Sequence, residues 1–157
     1  MSSPTRCPLP PPDPPAVVLD TNAVLDWLVF RHPSCAGWAA GFSGGRARWI
    51  ASPAMRDELA HVLARGVVDA WRPQHDAVWA AWDRHARVVD PVPTAGAATR
   101  LRCTDPDDQK FVDLALAERA RWLISRDRAV LKLARRTRPL GLEVLTPEAW
   151  AASFLSG

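Results

Sequence analysis

Four carboxylates stand out by where they fall: Asp20, Glu58, Asp108 and Asp127. Asp20 ends an apolar run, Ala16-Val17-Val18-Leu19, and Asp127 closely follows another, Trp122-Leu123-Ile124. Carboxylates a few Å apart repel one another strongly unless a cation holds them. Oxygen ligands with no His or Cys beside them suit Mg²⁺ or Mn²⁺ better than zinc. An open site of that kind grips phosphate, activates a water and stabilises a departing oxygen. Rival chemistries lack their motifs. The chain has no P-loop. It also has no Cys-x-x-Cys or His-x-x-x-His, so nothing supports a zinc site. His32, His61, His75 and His85 stand alone and read as surface or packing residues.

The elements that must position these acids follow from the apolar pattern. Ala16 to Leu19 reads as a short buried strand that hands over, at Asp20-Thr21-Asn22, to a helix over Ala23 to Phe30. Ligands of open α/β sheets bind at such carboxyl ends. The plain alternative is that Asp20 or Asn22 only caps the helix. Gly41 to Gly45 reads as a loop and Arg48 to Ala51 as a second strand. Ser52-Pro53 then opens a helix with a hydroxyl cap and a proline in the first turn. Its buried stripe is Met55, Leu59, Val62 and Leu63; Glu58 flanks that stripe, while Asp57 points to solvent. An ion-paired flank residue is the structural alternative for Glu58.

Residues 74–86 read as a helix whose Val78, Trp79 and Trp82 share one side, a spacing typical of packing. A third strand is expected at Arg87 to Val89 and a loop from Asp90 to Arg102. Asp105-Pro106-Asp107-Asp108 opens the next helix, to about Ala120, with Asp105 at the cap and acids complementing the dipole. Capping explains three acids but not the face. Asp108 begins the stripe Phe111, Val112, Ala115, Leu116, whereas Asp113 lies opposite. After Trp122-Leu123-Ile124 come Ser125-Arg126-Asp127, a helical stretch to Arg136, a strand at Leu142 to Leu145, and a final helix after Thr146-Pro147 bearing Trp150 and Phe154. Alternating strands and helices predict a single α/β domain, with a central, mostly parallel sheet of about five strands and helices on both faces.

Composition agrees. The 157 residues are 48% hydrophobic and 24% charged, values of one globular domain with a real core. No apolar run approaches the roughly 18 residues of a membrane span, and three widely spaced cysteines suit a reducing, cytoplasmic setting. Residues 1–15 contain seven prolines and read as an extended or disordered leader, with the fold occupying residues 16–157. The net charge is +3, and all basic residues except Lys110 and Lys132 are arginine, the better phosphate fork.

In order along the chain, Leu19-Asp20-Thr21-Asn22, Ser52 leading to Glu58-Leu59, Asp105-Pro106-Asp107-Asp108 with its apolar helix, and Ser125-Arg126-Asp127 resemble the PIN domain, and within it the VapC-like proteins of bacterial toxin–antitoxin systems. The resemblance runs from about Val17 to Trp150. It implies a Mg²⁺- or Mn²⁺-dependent endoribonuclease, usually a homodimer, silenced by an antitoxin protein. The family's acidic quartet carries over onto Asp20, Glu58, Asp108 and Asp127 as metal ligands and catalytic residues, with Asp105 beside them in support. Its first-strand Asn matches Asn22. Its later hydroxyl matches Ser125, where Thr is usual. Thr21, Asn22 and Ser125 would position ligands, and Arg56, Lys110, Arg126 and Arg128 would hold RNA phosphates. Two other classes remain open: a PIN-like domain that binds RNA or a partner without cutting, and a metal-dependent phosphatase-like domain, which Asn22 disfavours because such sites often read Asp-x-Asp.

Overall fold

The computed structural model describes residues 13–90 and 101–155, with side chains described as far as Ser153. Most of the proline-rich leader, most of the Asp90–Arg102 loop and the side chain of Phe154 therefore lie outside the described residues. Five strands form one sheet: β1 (Ala16–Leu19), β2 (Arg48–Ala51), β3 (Ala86–Val88), β4 (Trp122–Ile124) and β5 (Glu143–Leu145). They lie in the order β3-β2-β1-β4-β5, and every pairing is parallel. β1 is central and buried on both faces, which is why it could be written as an unbroken apolar run. The edge strands β3 and β5 are partly exposed, and only their inward positions need be apolar.

The helices are α1 (Thr21–Leu28), α2 (Trp38–Ser43), α3 (Pro53–Ala64), α4 (His75–His85), α5 (Gln109–Ala117), α6 (Arg128–Leu131), α7 (Ala134–Thr137) and α8 (Pro147–Trp150). α3 begins as its sequence demands. The Ser52 side chain accepts from the Met55 amide at 3.4 Å, and Pro53 fills the first position, where no amide is missed. It ends at Arg65, followed by Gly66 at φ +75°, the left-handed turn that closes many helices.

Three local expectations are corrected. The stretch expected as a Gly41–Gly45 loop is largely α2: Trp38 and Gly41 are buried there, and tertiary packing outweighs the low helix propensity of Gly41. The helix expected from Asp105 starts as a 3-10 turn at Pro106–Asp108 and becomes α-helical only from Gln109. The helical segment 127–136 is two short pieces, α6 and α7. At the leader's end, Pro14 and Pro15 are held against β2, their carbonyls accepting from the Arg48 side chain and amide at 2.9 and 3.0 Å.

The core is unusually aromatic. Trp27 packs against Trp38, Phe42, Trp49 and His85, and Trp82 meets Trp49 edge-on at 4.8 Å. Trp82 is buried, and Trp79 is half-buried beneath the Arg56 guanidinium, 4.4 Å from the ring.

Candidate functional site

In this strand order the chain leaves β1 towards β2 and β3, then returns to place β4 on the other side of β1. The crevice outside the carboxyl ends of β1 and β4 is thus the switch point where such sheets bind ligands. Leu19 pairs with Ile124, so Asp20 and Ser125 emerge side by side. The Ser125 hydroxyl donates to Asp20 Oδ2 at 2.6 Å, and the Asp127 amide donates back to that hydroxyl at 3.0 Å. Asn22 Oδ1 accepts from the Arg126 amide at 3.2 Å, fastening the second turn to the first. Asp20 opens α1 but its side chain makes no capping bond, so the plain capping alternative is not how its carboxylate is used.

Asp108 comes from the 3-10 turn before α5 and is buried, and its Oδ2 has no hydrogen-bond partner among the described residues. One carboxylate oxygen from each of Asp105, Asp108 and Asp127 falls within 4.8 Å of the others, among the described residues. Asp105 and Asp127 also cap their own turns, accepting from the Asp107 and Ala129 amides. Glu58 approaches from α3. Its Oε2 accepts from the Thr21 hydroxyl, and its Oε1 pairs with Lys110 Nζ at 2.8 Å. Of the expected quartet, Asp108 and Asp127 are in direct proximity, Asp20 adjoins them through Ser125, and Glu58 is already engaged by a cation and a hydroxyl.

Gathering acids here shifts their protonation. The Asp20 carboxyl is pushed up to about 6, mainly by burial, against the Ser125 hydroxyl and the Thr21 amide, with the charges of Glu58 and Asp127 adding to the rise. Asp108 is pushed up to about 8, first by burial, then by a hydrogen bond with Asp127 and the charges of Asp20, Asp127 and Asp105. A buried carboxylate oxygen without a donor is costly unless a proton or a cation occupies the space before it. The donor set is all oxygen, so the residues fit a hard divalent cation.

Beside the acids opens a cleft of about 640 Å³, whose walls include Asp20, Asn22, Glu58, Asp108, His61 and Arg65. Asp57 is exposed, as its helix position predicts, yet it lies on this cleft wall too. Sequence reading missed His61 and Arg65, although their offsets of three and seven from Glu58 place them on one side of α3. Gln109 was missed as well. It holds the approach to the Asp105–Asp108 turn, accepting from the Cys103 amide at 2.6 Å and donating to the Leu101 carbonyl at 2.9 Å. The basic residues expected on phosphate divide. Arg126 is tied to Asp26 and, at 2.6 Å, to Glu148; Lys110 is tied to Glu58; Arg56 covers Trp79; Arg128 is exposed.

No match is found among the curated proteins. Among solved structures, a chain of VapBC2 from Rickettsia felis, crystallised bound to a DNA fragment from their promoter, shares the fold. Its TM-score is 0.51 at 13% identity, over 83% of this chain and 98% of that one. The family model of the PIN domain matches residues 16–129, a span running from the start of β1 through the Asp127 turn and so including every acid of the rim. The chain belongs to the PIN-domain family.

Proposed function

We propose that this PIN domain is a Mg²⁺- or Mn²⁺-dependent endoribonuclease, hydrolysing RNA phosphodiester bonds as the toxin of a toxin–antitoxin pair. The observation that carries the reading is the buried, partnerless Oδ2 of Asp108 among the oxygens of Asp105 and Asp127. Asp20, Asp108 and Asp127 would hold the metal, with Asp105 in support. Glu58 joins them through water or by releasing Lys110. A divalent ion bound there supplies polarisation of a phosphoryl oxygen and stabilises the departing one.

The chain's own groups set the geometry. Ser125 donates to Asp20 and so fixes one oxygen of that carboxylate. Asn22 locks the Ser125–Asp127 turn against α1. Asp127, half-buried at the edge of the cluster, orients the attacking water. Lys110 balances the charge of Glu58. A structural neighbour that is a VapBC2 complex supports an antitoxin as protein partner; the homodimer and the cytoplasmic compartment are what the family resemblance implies. No helix among the described residues is long and apolar enough to cross a membrane.

The test is cleavage of structured RNAs by purified protein with Mn²⁺ or Mg²⁺, beside Asp20→Asn and an EDTA control. Cutting by the wild type that is lost in both controls is the expected result. A folded, metal-loaded wild type that binds RNA equally well in EDTA and cuts none would make it a binding module. Phosphate release from small phosphoesters would make it phosphatase-like.

A further inference from the structure

The cleft has two chemically distinct ends. One end holds Asp20, Glu58 and Asp108; among the described residues, the only basic groups in the cleft walls are His61, in the last turn of α3, and Arg65, at its C-cap. Glu58, His61 and Arg65 recur at helical spacing, so they share a face, and Arg65 lies roughly 10 Å along the axis from Glu58 at 1.5 Å per residue. Gly66 turns the chain sharply there: a Cβ at that position would meet the Asp69 carboxylate at 2.9 Å. That turn keeps Arg65 as the last group of the wall rather than part of a longer helix.

The ordinary explanation for these residues is the helix dipole, which favours cations in the last turn. It accounts for basic character but not for the face. It also does not account for their being uncommitted. Arg126, Lys110 and Arg56 are each engaged by an acid or an aromatic ring, whereas Arg65 and His61 have no ion-pair partner among the described residues. Asp57 lies on the same wall, one turn before His61, and no ion pair joins the two. Guanidinium is the side chain best shaped to fork a phosphate.

Resting on the nuclease reading above, we propose that Arg65, with His61, forms a second phosphate subsite that grips the RNA backbone at the phosphate adjoining the one being cut. The acids act on one phosphate and repel the rest of the strand. A cation one step along the cleft holds that strand in register and sets its direction across the rim. Arg65 is a positioning and binding residue. It touches substrate away from the reacting atoms.

The test is fluorescence anisotropy of 5′-fluorescein oligouridylates, from two to eight nucleotides long, with Ca²⁺ in place of Mn²⁺ so that nothing is cut. Wild-type affinity should rise sharply once the oligomer is long enough to carry the second phosphate. Arg65→Ala should lose that rise, bind the longer oligomers about tenfold more weakly, and lower the salt slope by about 0.7, the value for one phosphate on a single strand. His61→Ala should show a smaller loss, Arg65→Lys should recover most of the affinity, and Arg135→Ala, at an exposed position of α7, should change nothing. Circular dichroism establishes that each variant is folded, and Arg65→Gln serves if the alanine variant is not. Wild-type affinity and slope in Arg65→Ala and Arg65→Gln, with cleavage in Mn²⁺ intact, would overturn the subsite alone. A wild type that neither binds nor cuts any RNA would overturn the nuclease reading, and the subsite with it.

Discussion

The tryptophan cluster and the acidic rim carry the same defect, a buried polar atom with no partner, and offset it differently. In the cluster, the indole nitrogens of Trp38 and Trp49 are buried with no acceptor among the described residues. Each such loss costs about 1–3 kcal/mol. Each ring also buries roughly 150–250 Å², worth about 4–6 kcal/mol at ~25 cal/mol per Å², so the cluster gains from burial regardless. In the rim, Asp108 Oδ2 is just as isolated, but a carboxylate brings almost no apolar surface to set against the loss. Only a proton or a cation relieves it. The first cluster is a core; the second is a site that folding makes at a cost.

The sharpest way to break this comparison is one substitution in each cluster. Trp49→Ala should remove about 3–5 kcal/mol of stability, read from urea unfolding, with activity falling only as the fold does. Asp108→Asn should cut RNA at least about a hundredfold more slowly, as losing a preorganised electrostatic group does. In metal-free buffer at pH 8 its melting temperature should nevertheless hold or rise. A strongly destabilised Asp108→Asn would mean that the rim is held together by that carboxylate rather than strained by it.

Next in size is the response to pH. Asp20 and Asp108 are pushed up from 3.8 to about 6 and about 8, so the native protein binds protons that the unfolded chain has already released. Without metal, stability therefore falls as pH rises from about 4 and levels off above about 8. Melting temperatures at pH 5 and pH 8.5 should show that fall, and Mn²⁺ should restore more at pH 8.5 than at pH 5 by binding the native state. Asp108→Asn should flatten the profile. A metal-free protein more stable at pH 8.5 than at pH 5 would contradict the upward shift of these two carboxyls.

The smallest effect tests a basic residue that the fold has already committed. Arg126 joins Asp26 on α1 to Glu148 on α8. Burial pulls its guanidinium down, but the two acids more than offset that and leave it raised above its usual range. Arg126→Ala should cost on the order of 1 kcal/mol, the value of a partly exposed pair, and leave the salt slope of RNA binding unchanged. A slope lower by a full phosphate contact would return Arg126 to the substrate.

Several of these distinctions follow from how far each signal reaches along the chain. β1 and β4 were legible because a strand buried on both faces must be written as consecutive apolar residues, and Asp20 and Asp127 were legible because polarity resumes where such strands end. Asp108 could be told from Asp113 by helical phase. α2 was not legible, since Gly41 reads locally as a breaker and only the packing of Trp38 and Phe42 makes that stretch helical. The split between occupied and available cations was invisible for the same reason: Lys110 meets Glu58 across 52 positions of sequence, and Arg126 meets Asp26 across 100.

What the sequence determined by itself was the parallel α/β class, the order of its strands and the positions of Asp20 and Asp127 just past strand ends, all of which follow from the apolar pattern along the chain. Tertiary structure alone decided that β1 lies beside β4, that Asp105 rather than Glu58 completes the tightest group of carboxylates, and that His61 and Arg65 share a cleft with the acids. Those outcomes depend on distances between elements, which chain order does not encode and which close packing fixes once the sheet has formed.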